Sequence, residues 1–358
     1  MGFRFYRRVT VLPGVSLNFG KRGTSMSFGP RGLKTTIGAK GVRHSFGIPG
    51  TGLSYQTPYT KLGGGGGSSQ TKHKPQKLLP EEAAKNSIQN DYQKLNLGFF
   101  AKLTCTKEER ELAQGIQAFL LKDYASAEKH LQQATCYADG AFILGCIYLN
   151  TNRFAEADRL FSQAEQRPEQ IGTFFKKYNL DMTVHIEVSP FYNADFEPNM
   201  LASYLAHVEV LQHLKRYSEA CTLLLSLYKQ LPQSLDVILS LADIVLEREP
   251  NNTQWMNAIV NMTKNLKNDS YAHSVLLLYK AEAFDNLGMS EAAIITLSSV
   301  LKKKSGRPDM FLLEAQYQRG CLYLKVGRKS NAIRDLSAVY AVDPSYANVR
   351  QLLLQLNP

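Results

Sequence analysis

Residues 320–344 read GCLYLKVGRKSNAIRDLSAVYAVDP. In this stretch Gly320 is followed by Tyr323 at three positions, Ala332 at twelve, Leu336 at sixteen and Val339 at nineteen, and Pro344 closes it. Offsets of three and four keep side chains on one face of a helix, and the break between Tyr323 and Ala332 turns the chain back. The stretch therefore predicts two antiparallel helices that approach closely where the small residues meet, with the large ones filling the space between neighbouring pairs. The same beat recurs upstream. Gly145, Tyr148, Ala157, Phe161 and Ala164 form one copy; Ala281, Phe284, Ala293, Leu297 and Val300 form another; Gly115, Ala127, Leu131 and Ala134 form a third. Weaker copies centre on Ala220, Leu224 and Pro232, and on Leu241, Ala242 and Val245 before Pro250.

These residues resemble the tetratricopeptide repeat over roughly residues 108 to 350, most specifically in four copies. The resemblance implies an all-α solenoid with a groove. Spacing departs from the family's usual ~34 residues: Gly145 to Val208 is 63, and Ala242 to Ala281 is 39. The long gap holds TVHIEV and SPFYNADFEP, a non-repeat insertion at about 176–200 that reads as partly extended. In the family, the side chains one position after the small residue and three before it line the groove. Here these are Phe142 and Cys146, Leu278 and Glu282, and Tyr317 and Cys321, with Lys325 beyond. A mixed, partly apolar lining suits a peptide or another protein. An idle or self-packed groove is the competing expectation. The asparagine–lysine clamp that some members use to hold a carboxylate terminus is not recognisable.

The front of the chain keeps a different time. Gly14, Gly23, Gly32, Gly41 and Gly50 are nine apart, as are Gly20, Gly29, Gly38 and Gly47. The five-residue runs between them alternate apolar and polar residues. Period two closed by glycine-bearing turns predicts short antiparallel strands, hence a small all-β domain over residues 1–62. Hairpin pairing sets Phe19 against Thr24, Leu17 against Met26 and Val15 against Phe28, which puts Val15, Leu17, Phe19, Met26, Phe28, Ile37 and Phe46 on one face. So small a sheet is marginal alone. Its apolar face is expected to meet the helical half, a second layer or a second copy, and the last gives self-assembly into a homo-oligomer. Calcium-binding rolls also repeat every nine residues but need an aspartate in each turn, and none is present.

The opening MGFRFYRR, PGVSLNF at 13–19 and GIPGTGLSY at 47–55 resemble an uncharacterised bacterial domain of unknown function. That resemblance implies a bacterial, cytoplasmic protein and a small β module, and no activity.

Charge is segregated. The chain carries a net +11, yet residues 1–80 hold thirteen lysines and arginines and no acid, leaving 29 basic against 31 acidic residues in the remainder. The front is therefore expected to seek an anion: nucleic acid, an anionic membrane, or acidic patches of the helical half. Lys21, Arg22, Arg31, Lys34, Lys40 and Arg43 are the candidate anion-binding residues. The bland alternative is a solvated face whose charge keeps sheet edges from pairing wrongly. Residues 63–79, with five glycines followed by SSQTKHKPQK, read as a flexible linker, and the helical region runs from 80 to 358.

Nothing in the residue pattern announces catalysis. The five cysteines are scattered without a C-x-x-C, which suits a reduced compartment. Cys146 and Cys321 share a register that suggests packing. The seven histidines stand apart, with no H-E-x-x-H. The one enzymatic alternative rests on Asp181, Glu187, Asp195, Glu197 and His185 in the insertion. The expectation is a non-enzymatic scaffold with no cofactor, no metal and no transmembrane segment.

Overall fold

The computed structural model describes residues 105–121, 123–180 and 182–356, a short turn at 92–95, and strands between 15 and 56. Strands β1 (Val15–Gly20), β2 (Gly23–Phe28), β3 (Leu33–Gly38), β4 (Gly41–Gly47) and β5 (Leu53–Gln56) pair antiparallel in sequence order. Leu17 lies opposite Met26, Ile37 opposite Val42 and Phe46 opposite Tyr55. Two further strands lie inside the insertion, β6 (Thr183–Ser189) and β7 (Tyr192–Phe196), and Leu53 of β5 is opposite Val184 of β6. Neighbours in the sheet run from β1 to β7 in chain order.

The helices are α1 (Lys107–Leu120), α2 (Tyr124–Gln133), α3 (Ala138–Asn150), α4 (Phe154–Ala164), α5 (Thr173–Lys177) and α6 (Met200–His213). Then come α7 (Tyr217–Gln230), α8 (Leu235–Arg248), α9 (Thr253–Met262), α10 (Tyr271–Asn286) and α11 (Ser290–Lys302). The last are α12 (Asp309–Lys325), α13 (Lys329–Val342) and α14 (Val349–Leu356). The chain divides into two compact units, one holding residues 11–187 and 193–223, the other residues 188–192 and those from 224 onward.

Many of the helices start where a polar side chain satisfies an otherwise orphaned amide. Thr106, Asp123, Asn199, Ser234, Asn252 and Ser270 accept from backbone N–H groups of the first turn. Four of the turns inside the pairs share one device. Asn152, Lys215, Gly288 and Gly327 all have positive φ (59°, 61°, 76° and 79°), each seven residues after the small residue or its equivalent at 145, 208, 281 and 320. A left-handed residue ends the first helix and reverses the chain within two or three residues.

The repeat's small and large positions meet directly. A β-carbon on Gly115 would lie 2.7 Å from Leu131 Cγ, on Gly145 3.2 Å from Phe161, and on Gly320 2.9 Å from Leu336. Leu131, Phe161 and Leu336 are wholly buried there. The expected pairs α1/α2, α3/α4 and α12/α13 are therefore built on the small residue of one helix receiving the large residue of the next. Where the spacing runs long, the extra chain forms a 3-10 turn at Pro168–Gln170, α5, β6 and β7. Val184, Ile186 and Val188 are buried. The insertion is thus a folded part of the protein.

Candidate functional site

In the unit from residue 224 onward, side chains tie together the first helices of successive pairs. Tyr279 on α10 donates to Asp243 on α8. Lys325 on α12 donates to Asp285 on α10 at 2.6 Å, and Ser290 donates to the same carboxylate oxygen at 2.9 Å. Tyr317 on α12 donates to Asn348, and Tyr346 donates to Glu314, just before α14. The rings of Tyr317 and Tyr346 meet edge to face at 5.5 Å. These contacts place α8, α10 and α12 side by side along one face.

That face carries four of the seven predicted groove residues. Glu282, Tyr317 and Cys321 are half-buried and Lys325 is exposed. Burial pushes the Cys321 thiol up to about 11 and raises the Tyr317 phenol, so both are neutral contact groups at neutral pH. An open hollow beside Lys325 is lined by Met289, Ser290, Glu291, Lys325 and Val326, and Met289 is half exposed.

Phe142, Cys146 and Leu278 lie elsewhere than the groove expectation put them. They are 0, 2 and 0% exposed and present no surface to a partner. Phe142 packs edge to face on Phe161 at 6.2 Å, and the whole of α3 from Ala138 to Leu149 is buried. In α3 the face named by the one-after and three-before offsets is covered by the protein's own packing.

Lys21, Arg22, Arg31 and Lys40 lie outside the described residues. Lys34 and Arg43 fall on β3 and β4. Val15, Leu17 and Phe19 fall on β1, Met26 and Phe28 on β2, Ile37 on β3 and Phe46 on β4. Asp181 and the side chains of His185, Glu187 and Asp195 also lie outside the described residues.

Several buried polar groups could not be read from the sequence. Asp139 on α3 is 2% exposed and accepts from the amides of Gly172 and Phe174, capping α5 from another helix. Burial pushes its carboxyl up to about 6, against the pull of those two donors. Gly172 has φ +94°, and a β-carbon there would stand 2.1 Å from the Pro198 carbonyl oxygen, so only glycine fits. Glu109 accepts from Lys177 and Tyr178; burial raises its carboxyl, yet these partners leave it lowered overall. Asp335, 1% exposed, is gripped by both Nε and an Nη of Arg319 at 2.7 and 3.0 Å.

His207 on α6 sits between two carboxylates, Asp158 on α4 and Glu165 at its end. Its Nε2 is 2.9 Å from Asp158 Oδ1 and its Nδ1 is 3.0 Å from Glu165 Oε2, while Arg216 donates to Asp158 at 2.7 Å. Among the described residues, no group of three or more His, Cys, Asp or Glu side chains is disposed to hold a metal ion. No helix of the described residues is long and apolar enough to cross a membrane.

Small-to-large helix pairing and turns at a recurring left-handed position in both units, with side-by-side first helices in the unit from 224 onward, are packing of the tetratricopeptide kind. Comparison with known families agrees at one repeat, where residues 313–346 match a tetratricopeptide repeat family. Residues 3–56 match the family described as "Protein of unknown function (DUF4236)". No curated protein matches the chain.

Among solved structures, the chain is similar to YrrB, described as a TPR protein with an unusual peptide-binding site. The two are 13% identical over 63% of this chain and 95% of that one, with a TM-score of 0.42. It is also similar to the N-terminal domain of the EccA1 ATPase from the ESX-1 secretion system of Mycobacterium tuberculosis, at 12% identity over 70% of this chain and 90% of that one, TM-score 0.48. A thermophilic TPR protein of Thermus thermophilus is 14% identical over 61% of this chain and 98% of that one, TM-score 0.36.

Proposed function

We propose that this is a non-enzymatic scaffold that holds a protein partner or peptide against the face carrying Glu282, Tyr317, Cys321 and Lys325. The observation that carries this reading is the lateral tying of α8, α10 and α12, which leaves these side chains half-buried or exposed in a row. An aromatic ring, a neutral thiol and charges of both signs on rigid helices suit peptide recognition, where a few anchors set specificity. Replacing Tyr317 by Ala and Glu282 by Lys together should abolish retention of the partner in a pull-down from the native host. Unchanged retention would remove this face from the reading.

Residues 1–62 are proposed as a β module tethered by the linker 63–79 to the helical region 80–358, and as the self-assembly element of a bacterial cytoplasmic protein. The strand registers support it, because Val15, Leu17, Phe19, Met26 and Phe28 fall at alternating positions of one pair. Deleting residues 1–62 should lower the mass measured by light scattering, and an unchanged mass would count against assembly. The acid-free front favours a second reading, an adaptor to nucleic acid or an anionic membrane. Charge reversal of Arg22, Arg31 and Lys40 should then abolish salt-sensitive retention on DNA or liposomes, and no retention of the intact chain would dismiss it.

A further inference from the structure

The insertion between α4 and α6 is long, and something must hold its two ends together. Closing a flexible loop of that length costs conformational entropy. The ends are joined at His207, which is 6% exposed and stacked on Phe161 at 5.8 Å. Both ring nitrogens point at carboxylate oxygens, Asp158 Oδ1 at 2.9 Å and Glu165 Oε2 at 3.0 Å. An ionised carboxylate only accepts hydrogen bonds, so satisfying both requires a ring with two N–H groups, the imidazolium. These partners are 49 and 42 residues away along the chain, on the far side of the insertion.

We propose that His207 is a proton-operated latch: doubly protonated, it ties α6 to α4 and closes the insertion between them, and its deprotonation releases one carboxylate and loosens residues 171–187.

The surrounding charges fit a latch that opens on the alkaline side. From α4 and its end come Asp158 and Glu165. At the start of α7, Arg216 bridges Asp158 to Glu219 through contacts of 2.7 and 2.6 Å. On α6 itself lie Tyr204, whose phenol burial and Glu165 raise, and Glu209, which is 3.9 Å from His213, whose ring stacks on Phe154. On α3 the Cys146 thiol is buried and kept neutral by that burial, with Glu209 acting in the same direction. Burial opposes the charge on His207, but Glu165 and then Asp158 more than offset it, and the imidazole is raised above its ordinary 6.5. Burial raises Glu165, whereas Asp158 is lowered by His207 and Arg216 despite partial burial. A neutral imidazole keeps one N–H, so one of the two carboxylates then faces a lone pair in a buried site, which is costly.

A folded-state value above the unfolded 6.5 means that the latch contributes fully below that pH and is lost as pH rises through the folded value.

The test uses the intact chain. Nitrogen-15 NMR of the histidine ring should show both nitrogens of His207 protonated at about pH 6 and a titration midpoint above 6.5. Hydrogen exchange, corrected for its intrinsic pH dependence, should show protection of residues 171–187 falling about tenfold or more across that midpoint. His207→Gln should show the low protection at every pH, with a Tm lower by roughly 2–4 °C or more at about pH 6. A neutral ring on the acidic side, a midpoint at or below 6.5, or protection that ignores the midpoint would each overturn the latch. The wild-type titration decides the matter even where the variant fails to fold.

Discussion

Gly320 and Leu336 are so close that a β-carbon on the glycine would lie 2.9 Å from both Cγ and Cδ2 of the leucine, which is itself wholly buried. This is the contact on which the last helix pair closes. Gly320→Ala gains about 1 kcal/mol of helix propensity but overpacks a full site at a cost of about 1–3 kcal/mol. Urea unfolding should therefore show a net loss of stability, part of which returns when Leu336→Val is added. A stabilised single variant would contradict the packing.

The left-handed turn residues offer a test free of packing. A β-carbon on Gly288 meets nothing within 4 Å, so Gly288→Ala should cost only the backbone strain of φ +76°, about 1 kcal/mol. Lys215 occupies the equivalent turn with φ +61°. Lys215→Gly should stabilise by up to ~1 kcal/mol, with part of the gain lost to the greater freedom of the unfolded chain. Thermal unfolding of the two variants should move in opposite directions.

Asp139 joins α3 to α5 through two amide donors. Asp139→Ala leaves both N–H groups buried without a partner, at about 1–3 kcal/mol each. Because burial lifts the folded carboxyl to about 6 from the usual 3.8, the folded state binds its proton more tightly. The contribution of Asp139 to stability is thus complete below pH 3.8 and declines as pH rises through about 6. Asp139→Asn, which does not titrate, should flatten that part of the stability–pH curve. An identical curve in the variant would place the titration elsewhere.

Arg319 holds Asp335 with a two-pronged grip that a lysine does not reproduce. Arg319→Ala strands a buried carboxylate and should cost about 3–5 kcal/mol, with Arg319→Lys falling between it and the wild type. Equal stability of all three in denaturant titrations would show that the pair contributes nothing net.

The repeat geometry was legible because it rests on local offsets. Gly320 with Leu336 and Gly145 with Phe161 meet in the structure as their spacing of sixteen requires. The matching turn position, seven after the small residue, was equally present as Asn152, Lys215, Gly288 and Gly327 and would have marked the irregular copy at 208. The buried ionic clusters left no such trace. Asp158, Glu165, His207 and Arg216 straddle the insertion, so no short motif contains them, and His207 read as isolated. For the groove positions, the offsets carry only part of what decides exposure. Offsets name a helix face, but whether that face is open, as at Tyr317, or covered, as at Phe142, depends on what packs across it.

The claim that a partner lies along the first-helix face is tested most directly by site-specific photo-crosslinking in the native host. A photoreactive phenylalanine analogue at Tyr317 should give a discrete adduct, while one at Ile295, 69% exposed on α11, should give none. Equal adducts from both positions, or none from Tyr317, would contradict it.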